Sequence, residues 1–263
     1  MKAEIIVLIA HYNDNERLQR AIASIDEPFP VDVMVVDDGS KIRPNVGELQ
    51  SKLKSGTVFL EKLPQNVGLY AALNHGLNII ESMSYSYVAR LDSDDRNKPN
   101  RLAKQKEFLE KHPEISFIGS WIDCVDVNNN FLYQVKYPIH HDVIKRKVYV
   151  NSMFAHPTFF YKASILKEIK YPKLEHAEDY GFVFEVLKKH KVANIPEALL
   201  YYSISENAIS SKYRKEQVEY RIRVIKSNFY WGFYPIYGIL RNYPLLFISR
   251  ETMEKIKKLL RWH

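Results

Sequence analysis

Four short, largely apolar runs alternate with amphipathic segments in the first 95 residues, and this alternation constrains the fold most strongly. The runs are EIIVLIA (4–10), VDVMVVDDGS (31–40), TVFLEKL (57–63) and YSYVARLD (85–92). Their β-branched, apolar character is typical of strands buried on both faces of a sheet. Strands that alternate with helices are joined by right-handed crossovers and pair in parallel. The sequence therefore predicts an α/β fold with a Rossmann-like, mostly parallel central sheet flanked by helices.

Two of the intervening segments carry apolar residues at helical spacing, at residues 11–25 and 66–80. In the first of them, Asn13 is followed three residues later by Glu16, which resembles a capping box at the start of a helix. The first predicted helix is therefore expected to begin at Asn13.

The basic character of the chain is confined to its end. Residues 212–263 hold 12 Lys and Arg against 4 Asp and Glu, whereas the other 211 residues hold 26 bases and 27 acids. A body this close to neutrality argues against a nucleic-acid groove that crosses the whole protein. We therefore expect no nucleic-acid partner.

The single cysteine, Cys124, excludes an internal disulfide and fits a cytoplasmic protein with a small buried thiol. The N-terminal apolar run is short, ends in polar residues and is predicted to be a strand instead of a signal peptide. No run of about 18 or more apolar residues occurs, so the sequence predicts no spanning helix.

Polar residues follow three of the predicted strands, at residues 11–13, 37–40 and 92–95. In an open α/β sheet the ligand site lies beyond the carboxyl ends of the strands, so we expect these loops to lie together. Asp92, Asp94 and Asp95 are close enough to repel each other, which indicates either a solvated turn or a site for a cation. Mg²⁺ or Mn²⁺ prefers carboxylate oxygen and takes further ligands from substrate phosphates. The acids therefore predict a metal that holds a diphosphate.

Four motifs then occur in a fixed order: VVDDGS, NVGLYAALNHG, VARLDSDD and HAEDYGFVFEVLKKHKVANIPEALLYY. Together they resemble the signature of family 2 glycosyltransferases of the GT-A fold, over roughly residues 4–205. Four motifs in order are far more specific than any one of them. The first strand departs from the family pattern by ending IAHYN, where Pro or Thr often precedes the Tyr-Asn pair.

The resemblance implies roles for particular residues. Asp38 would contact the nucleotide base, Asp92 the ribose and the metal, and Asp94 the metal, while Asp179 would be the catalytic base. Further nucleotide-sugar contacts are expected from His11, Tyr12, Asn13, Asn66, Asn74, Arg90 and Ser93, and acceptor contacts from Glu178 and His156.

Several of these residues also have a purely structural interpretation. Asp38 could form an Asx-type turn with the Gly-Ser pair that follows it. Asp179 could be an N-cap or a first-turn acid that interacts with the helix dipole. His156 could be a satisfied histidine beside a proline turn, and Arg90 could form ion pairs with the neighbouring acids. Asn66 and Asn74 could be helix-start and packing amides.

The resemblance implies transfer of a sugar from a nucleotide-diphosphate sugar, with UDP favoured, to an acceptor hydroxyl, with Mn²⁺ or Mg²⁺ and with inversion. Residues 1–211 would form the catalytic domain, in which 1–95 bind the donor and 96–211 build the acceptor side. One alternative is a non-catalytic module that binds nucleotide sugar or glycan. Another is an aspartyl-nucleophile phosphatase, which would carry its D-x-D motif on the first strand instead of the fourth.

Residues 212–263 are expected to be a helical tail. It holds 11 of the chain's 34 aromatic residues together with the excess of positive charge. Aromatic rings and long cationic side chains suit the headgroup region of a bilayer. The tail is therefore expected to contact the inner face of the cell membrane, where the acceptor is a surface glycan or is lipid-linked. The alternative is that its aromatic residues pack on the body or form a homodimer.

Overall fold

The computed structural model describes residues 2–204 and 213–247. Within these residues, one sheet contains nine strands. The strands are β1 (Ile5–His11), β2 (Asp32–Asp37), β3 (Val58–Lys62), β4 (Tyr87–Arg90), β5 (Arg96–Asn97), β6 (Ile115–Val125), β7 (Phe131–Val135), β8 (Phe160–Lys162) and β9 (Lys191–Ser203). All four strands predicted from the apolar runs are present.

The sheet is mixed but mostly parallel. Its strands are ordered β3-β2-β1-β4-β8-β6-β9-β5, and β7 pairs with β6 beside this path. The strands β3, β2, β1 and β4 are mutually parallel, and β6 and β9 are parallel to each other. The strand β8 runs antiparallel between β4 and β6, so β6 and β9 point the same way as the first four strands. Both predicted halves of the catalytic domain thus contribute to a single sheet.

Eight α-helices lie in the described part of the chain. They are α1 (Asn15–Ala23), α2 (Val46–Lys52), α3 (Leu69–Glu81), α4 (Arg101–Lys111), α5 (His141–Lys147), α6 (Glu178–Lys189), α7 (Arg214–Ser227) and α8 (Phe233–Asn242). Short 3-10 helices occur at His156–Thr158, Ala163–Lys167 and Tyr243–Leu246.

The predicted capping box at the start of α1 is wrong. The cap is Asp14, whose carboxylate accepts a hydrogen bond from the Arg17 amide at 3.1 Å. Asn13 lies outside the helix with φ of 61°, and its side chain accepts from the Lys41 amide at 2.8 Å. Asparagine tolerates this left-handed conformation better than most residues, so it turns the chain from β1 into α1.

Two apolar cores lie on the opposite faces of the sheet. Along β1, Ile6 and Leu8 face the core that contains α3 and α6, whereas Val7 and Ile9 face the core that contains α1, α2 and α4. This burial on both faces explains why the first run is continuously apolar, without polar alternation. At about 25 cal/mol per Å², burial of such side chains is the main force that holds the helices to the sheet.

The helices α7 and α8 pack through one face on the body formed by residues 2–204. Ile225 of α7 is fully buried in the core that contains α6, and the Tyr149 hydroxyl donates to the Asn228 carbonyl at 2.8 Å. Gly238 of α8 passes so close to Tyr149 that a Cβ at this position would lie 2.1 Å from the Tyr149 carbonyl oxygen. The predicted tail is therefore helical and packed in residues 213–247, while residues 248–263 lie outside the described part.

Within residues 2–204 and 213–247, no helix combines the length and the apolar character that are needed to cross a bilayer.

Candidate active site

The loops that follow β1 and β2 are joined by hydrogen bonds that backbone amides donate. The Asp38 amide donates to the His11 carbonyl at 2.8 Å, and the Asn13 amide donates to the Ser40 hydroxyl oxygen at 2.8 Å. His11 is buried, and its Nε2 lies 2.9 Å from the Asn15 side-chain oxygen. Burial lowers the pKa of His11, so its ring is neutral at pH 7. These loops form one preorganised wall at the carboxyl edge of the sheet.

Asp38 connects this wall to the loop before α3. Its two carboxylate oxygens accept hydrogen bonds from the amides of Val67 at 2.7 Å and Gly68 at 3.0 Å. Burial raises the pKa of Asp38, while these two amides oppose the rise. Gly39 allows the close approach: its φ is 74°, and a Cβ there would lie 2.4 Å from the Gln65 carbonyl carbon. The bonds of Asp38 therefore run to a loop 29 and 30 residues away, and not to the turn that follows it.

The other residues predicted to contact the nucleotide sugar are placed differently. Tyr12 and Asn66 are exposed at the rim of this wall, where they are free to meet a ligand. Asn74 instead donates to the Tyr171 carbonyl at 2.8 Å and accepts from the Tyr171 amide at 2.9 Å. This paired contact engages both polar groups of the Asn74 side chain and favours its structural interpretation.

His156, which was predicted to contact the acceptor, lies beside Tyr171. Its Nε2 is 2.9 Å from the Tyr171 hydroxyl, and its ring packs against Phe159. Burial and then the charge of Arg90 lower the pKa of His156 well below its usual value, so it is neutral. These contacts favour the interpretation of His156 as a satisfied histidine beside Pro157.

The loop after β4, residues 92–95, contains three aspartates, and we call it the acid loop. Carboxylate oxygens of Asp92, Asp94 and Asp95 lie within 4.8 Å of one another. The Asp94 side chain is 44% exposed and lies 3.9 Å from the Arg17 guanidinium, whereas Asp95 is buried. Burial and the charge of Asp92 raise the pKa of Asp94 to about 6. Ser93, which lies between Asp92 and Asp94 in the sequence, is partly exposed.

The acid loop fits a hard divalent cation. One oxygen of Asp95 accepts from the Ser203 amide at 2.8 Å, but the other is buried with no hydrogen-bond partner in the described residues. Such an orphaned carboxylate oxygen is stable only when it carries a proton or meets a cation. Three carboxylates from one loop are a donor set suited to Mg²⁺ or Mn²⁺. Asp92 and Asp94 were predicted as ligands, and the structure adds Asp95 to the group.

Arg90 is a buried cation at the end of β4. Its guanidinium forms an ion pair with Asp92, and its Nε and Nη2 have no hydrogen-bond acceptor in the described part of the chain. A second buried arginine, Arg101 of α4, donates to the Arg90 carbonyl at 2.9 Å and to the Asn97 side-chain oxygen at 2.6 Å. Arg101 therefore supports the backbone from which the acid loop starts.

Glu178 and Asp179 occupy the first turn of α6, whose N-cap residue is Ala177. Glu178 is only 5% exposed, whereas Asp179 is partly accessible. Burial and the charge of Asp179 raise the pKa of Glu178 to about 8. Burial also raises the pKa of Asp179, and the charges of Arg221 and Arg90 oppose that rise. The positive charge of Arg90 therefore acts on the carboxylate of Asp179, which lies about 90 residues later in the chain.

Sequence reasoning gave no individual role to two residues that shape this site. Asp95 was counted among the clustered acids of the predicted metal site, but only Asp92 and Asp94 were assigned as ligands. Arg101 had no signal in the sequence, because an arginine in a helix is most often solvated. Only the tertiary structure shows that it is fully buried.

Comparison with known proteins agrees with this geometry. Residues 6–170 match the family model described as "Glycosyl transferase family 2". An uncharacterized glycosyltransferase of Methanocaldococcus jannaschii is 30% identical over 237 residues, which cover 86% of this chain and 80% of that protein. A UDP-Gal:alpha-D-GlcNAc-diphosphoundecaprenol beta-1,3-galactosyltransferase of Escherichia coli is 28% identical and covers 81% of this chain and 77% of that protein. This chain belongs to glycosyl transferase family 2.

Solved structures show the same fold. S. aureus TarS 1-349 in complex with UDP-GlcNAc superposes with a TM-score of 0.63 at 21% identity, over 94% of this chain and 70% of that one. The mannosyltransferase PcManGT of Pyrobaculum calidifontis, in complex with GDP-Man and Mn²⁺, gives a TM-score of 0.64 at 16% identity, over 95% and 71%. The predicted GT-A fold and the predicted family are confirmed, and the phosphatase alternative is excluded.

Proposed function

We propose that this glycosyltransferase moves a sugar from a UDP-sugar to a hydroxyl of a glycan or lipid-linked acceptor, with a divalent cation and inversion of the anomeric centre. The observation that carries the proposal is the position of Arg90. This buried guanidinium pairs with Asp92 of the acid loop, and its charge opposes the rise in the pKa of Asp179 on α6. These two interactions support a common centre for the predicted donor side and the predicted base.

The donor is held by the wall formed by the β1 and β2 loops, with Tyr12 and Asn66 exposed at its rim. Asp92, Asp94 and Asp95 would hold the cation, which when bound would act as a Lewis acid on the diphosphate leaving group. UDP is favoured because the TarS structures contain UDP and UDP-GlcNAc, and because the E. coli relative is named for a UDP-Gal donor.

Asp179 is the proposed general base. It takes the proton of the acceptor hydroxyl as that oxygen attacks the anomeric carbon, and UDP departs with the electron pair of the broken bond. One displacement with one base inverts the anomeric configuration. Asp179 suits this role better than Glu178, because Asp179 is partly accessible while Glu178 is buried and holds a proton at pH 7.

The test is UDP release from UDP-sugars with Mg²⁺ or Mn²⁺ and a glycan or lipid-linked acceptor. Asp179→Asn keeps the shape of the side chain but removes the base, and it should lose about 10²–10⁴-fold in turnover with unchanged donor affinity. Asp142→Asn is the matched control, since Asp142 is an exposed first-turn aspartate of α5. Near-wild-type turnover of Asp179→Asn would show that Asp179 is not the general base.

The same assay separates catalysis from a binding module. Wild-type protein that binds a UDP-sugar with metal, but neither transfers nor hydrolyses it, would support the non-catalytic alternative. Proton NMR of the product's anomeric centre tests inversion, because retention would exclude a single displacement.

The C-terminal helices supply a second part of the proposal, contact with a membrane surface. The helix α8 buries one face on the body and exposes Phe233 and Leu240 on the other. Trp231 before this helix is 89% exposed, and Phe247 after it is 85% exposed. We take these exposed apolar side chains of one segment, residues 231–247, as a candidate interaction surface. We call these four residues the outer apolar face.

A lipid surface fits the charge around the outer apolar face. Arg241 lies on α8, which carries Phe233 and Leu240, and Lys226 lies on the preceding helix α7. Residues 248–263 add five Lys or Arg against two Glu. Bases near an anionic leaflet contribute about 1 kcal/mol each, and aromatic rings suit its headgroup region. A peripheral position at the inner membrane face would bring the site close to a lipid-linked acceptor.

Co-sedimentation with phosphatidylglycerol vesicles and with neutral vesicles tests this contact. The full chain should bind the anionic vesicles at low salt, and Trp231→Ser/Phe233→Ser should bind them several-fold less. The control is Phe131→Ser/Leu132→Ser, which removes two exposed apolar side chains of β7. Equal vesicle binding by the two double variants would reject the outer apolar face as the membrane contact. A concentration-dependent dimer without lipid binding would support the homodimer instead.

A further inference from the structure

A groove beside the acid loop is lined by three arginines that the proposed mechanism does not use. Arg17 and Arg20 come from successive turns of α1, and Arg96 comes from β5. Asp94 also lines the groove, so the groove opens directly beside the predicted metal ligands. We call it the arginine groove.

The arginines are incompletely neutralised. Arg17 lies 3.3 Å from Asp14 and 3.9 Å from Asp94, and both contacts involve partly exposed side chains. Arg20 reaches Glu16 only at 3.9 Å, where both side chains are more than half exposed. Exposed ion pairs of this kind are weak and exchange readily for another partner.

Arg96 and Asp126 complete the charge of the groove. The Arg96 guanidinium lies over the Tyr201 ring at 5.2 Å, and no carboxylate of the described residues is within 4.0 Å of it. Asp126 also lines the groove, but its carboxylate accepts from the Asn128 and Asn130 amides and from the Asn130 side chain. That carboxylate is therefore engaged within its own turn. A cation on the acid loop would also remove the charge of Asp94 and leave the groove with an excess of positive charge.

We infer that the arginine groove binds a phosphate group next to Asp94. Guanidinium groups offer paired N–H donors that match phosphate oxygens and stay charged at any working pH. The inference rests on the proposed function for its two candidate sources. One source is the diphosphate of the donor, and the other is a diphosphate that links an acceptor glycan to its lipid.

The first experiment titrates inorganic pyrophosphate into the full-length protein with Mg²⁺ by calorimetry. Arg20→Gln/Arg96→Gln should bind pyrophosphate about tenfold more weakly than wild type, as expected for lost hydrogen bonds to a charged group. Arg146→Gln is the matched control, because Arg146 is an exposed arginine of α5 that does not line the groove. Equal affinity in the double variant and the control, or no binding by wild type, would overturn the inference.

Two further measurements identify the source of the phosphate. A matching loss of UDP affinity, with an unchanged KM for the acceptor, would assign the groove to the donor. Unchanged UDP affinity, with a KM that rises for a lipid-diphosphate acceptor and not for the same glycan as an alkyl glycoside, would assign it to the acceptor. Pyrophosphate binding needs no turnover, so a wild type that binds pyrophosphate but transfers no sugar would reject the proposed function alone.

Discussion

Two acidic loops follow β2 and β4, the parallel strands on either side of β1, and they differ in how their carboxylates are satisfied. After β2, Asp38 accepts two backbone hydrogen bonds from the loop before α3, and Asp37 accepts one from the Ser40 amide at 3.3 Å. After β4, Asp92 meets a buried arginine, and Asp95 keeps one buried oxygen without a partner among the described residues.

This difference in hydrogen bonding indicates that the β2 loop has a structural role and that the β4 loop is the candidate binding site. Both carboxylate oxygens of Asp38 accept hydrogen bonds from backbone amides, and these bonds join two loops without a metal ion. Carboxylates that face each other raise one another's pKa, and burial together with Asp92 and Asp94 raises that of Asp95 well above its usual value. The Asp38 carboxylate is therefore satisfied within the described chain, whereas the buried oxygen of Asp95 requires a proton or a cation.

The largest expected effect is the loss of the buried cation at β4. Arg90→Met removes the partner of Asp92 and should lower the free energy of unfolding by about 3–5 kcal/mol, because it leaves an uncompensated charge. The equivalent change at β2, Arg43→Met, removes a partly exposed arginine 3.4 Å from the buried Asp37, which keeps its hydrogen bond from the Ser40 amide, so the loss should be smaller, about 1–3 kcal/mol. Urea denaturation measures both. Equal losses would contradict the comparison.

The next effect concerns the β2 loop itself. Asp38→Ala leaves the Val67 and Gly68 amides without their acceptor, and it should cost about 2–3 kcal/mol in thermal or urea unfolding. Asp126→Ala also removes several hydrogen bonds to the backbone, but in an exposed turn where water replaces them, so its loss should be smaller. A larger loss of unfolding free energy in Asp126→Ala than in Asp38→Ala would contradict the role of Asp38 in joining the two loops.

The smallest expected effect is a dependence of stability on pH through Glu178. Its pKa rises from 4.5 to about 8 on folding, so the folded chain holds a proton that the unfolded chain has released between these values. The free energy of unfolding should therefore fall as the pH rises from about 4.5 to about 8. Glu178→Gln should make the free energy of unfolding depend less steeply on pH across this window, and the remaining dependence comes from the neighbouring Asp179, which shares the proton uptake.

Unfolding of wild type and Glu178→Gln at several pH values between 5 and 8 checks this prediction. Glu185→Gln, at a partly exposed position of the same helix, is the control and should keep the wild-type slope. A slope that is the same in all three proteins would show that Glu178 does not hold the proton.

The fold was largely predictable because its signals are local. Continuous apolar runs and helical spacing in the first 95 residues indicated β1 to β4, and the ordered motifs indicated the family. The insertion of β8 between β4 and β6 was not predictable, because a three-residue strand has no periodicity of its own. The cap of α1 was predicted one residue too early, because Asn13 and Asp14 are both good capping residues. In the structure the Asn13 side chain accepts from the Lys41 amide, so Asp14 caps the helix by accepting from the Arg17 amide.

The site was predictable where it follows strand ends and not where it depends on tertiary packing. Asp92, Asp94 and Asp38 lie directly after β4 and β2, so topology alone placed them at one edge of the sheet. The contacts of Asn74 and His156 with Tyr171 join residues that are 97 and 15 positions apart. No pattern in the sequence reports such contacts, so motif matching could not separate a ligand contact from a packing amide.

The central claim is that the acid loop after β4 holds a divalent cation together with a nucleotide diphosphate. Calorimetry of UDP binding to the full-length protein, in Mn²⁺ and then in EDTA, tests this claim most directly. We predict that wild type binds UDP at least about tenfold more tightly with Mn²⁺, and that Asp94→Asn loses this difference while Asp38→Asn keeps it. Equal UDP affinity of the wild type in Mn²⁺ and in EDTA would contradict the account.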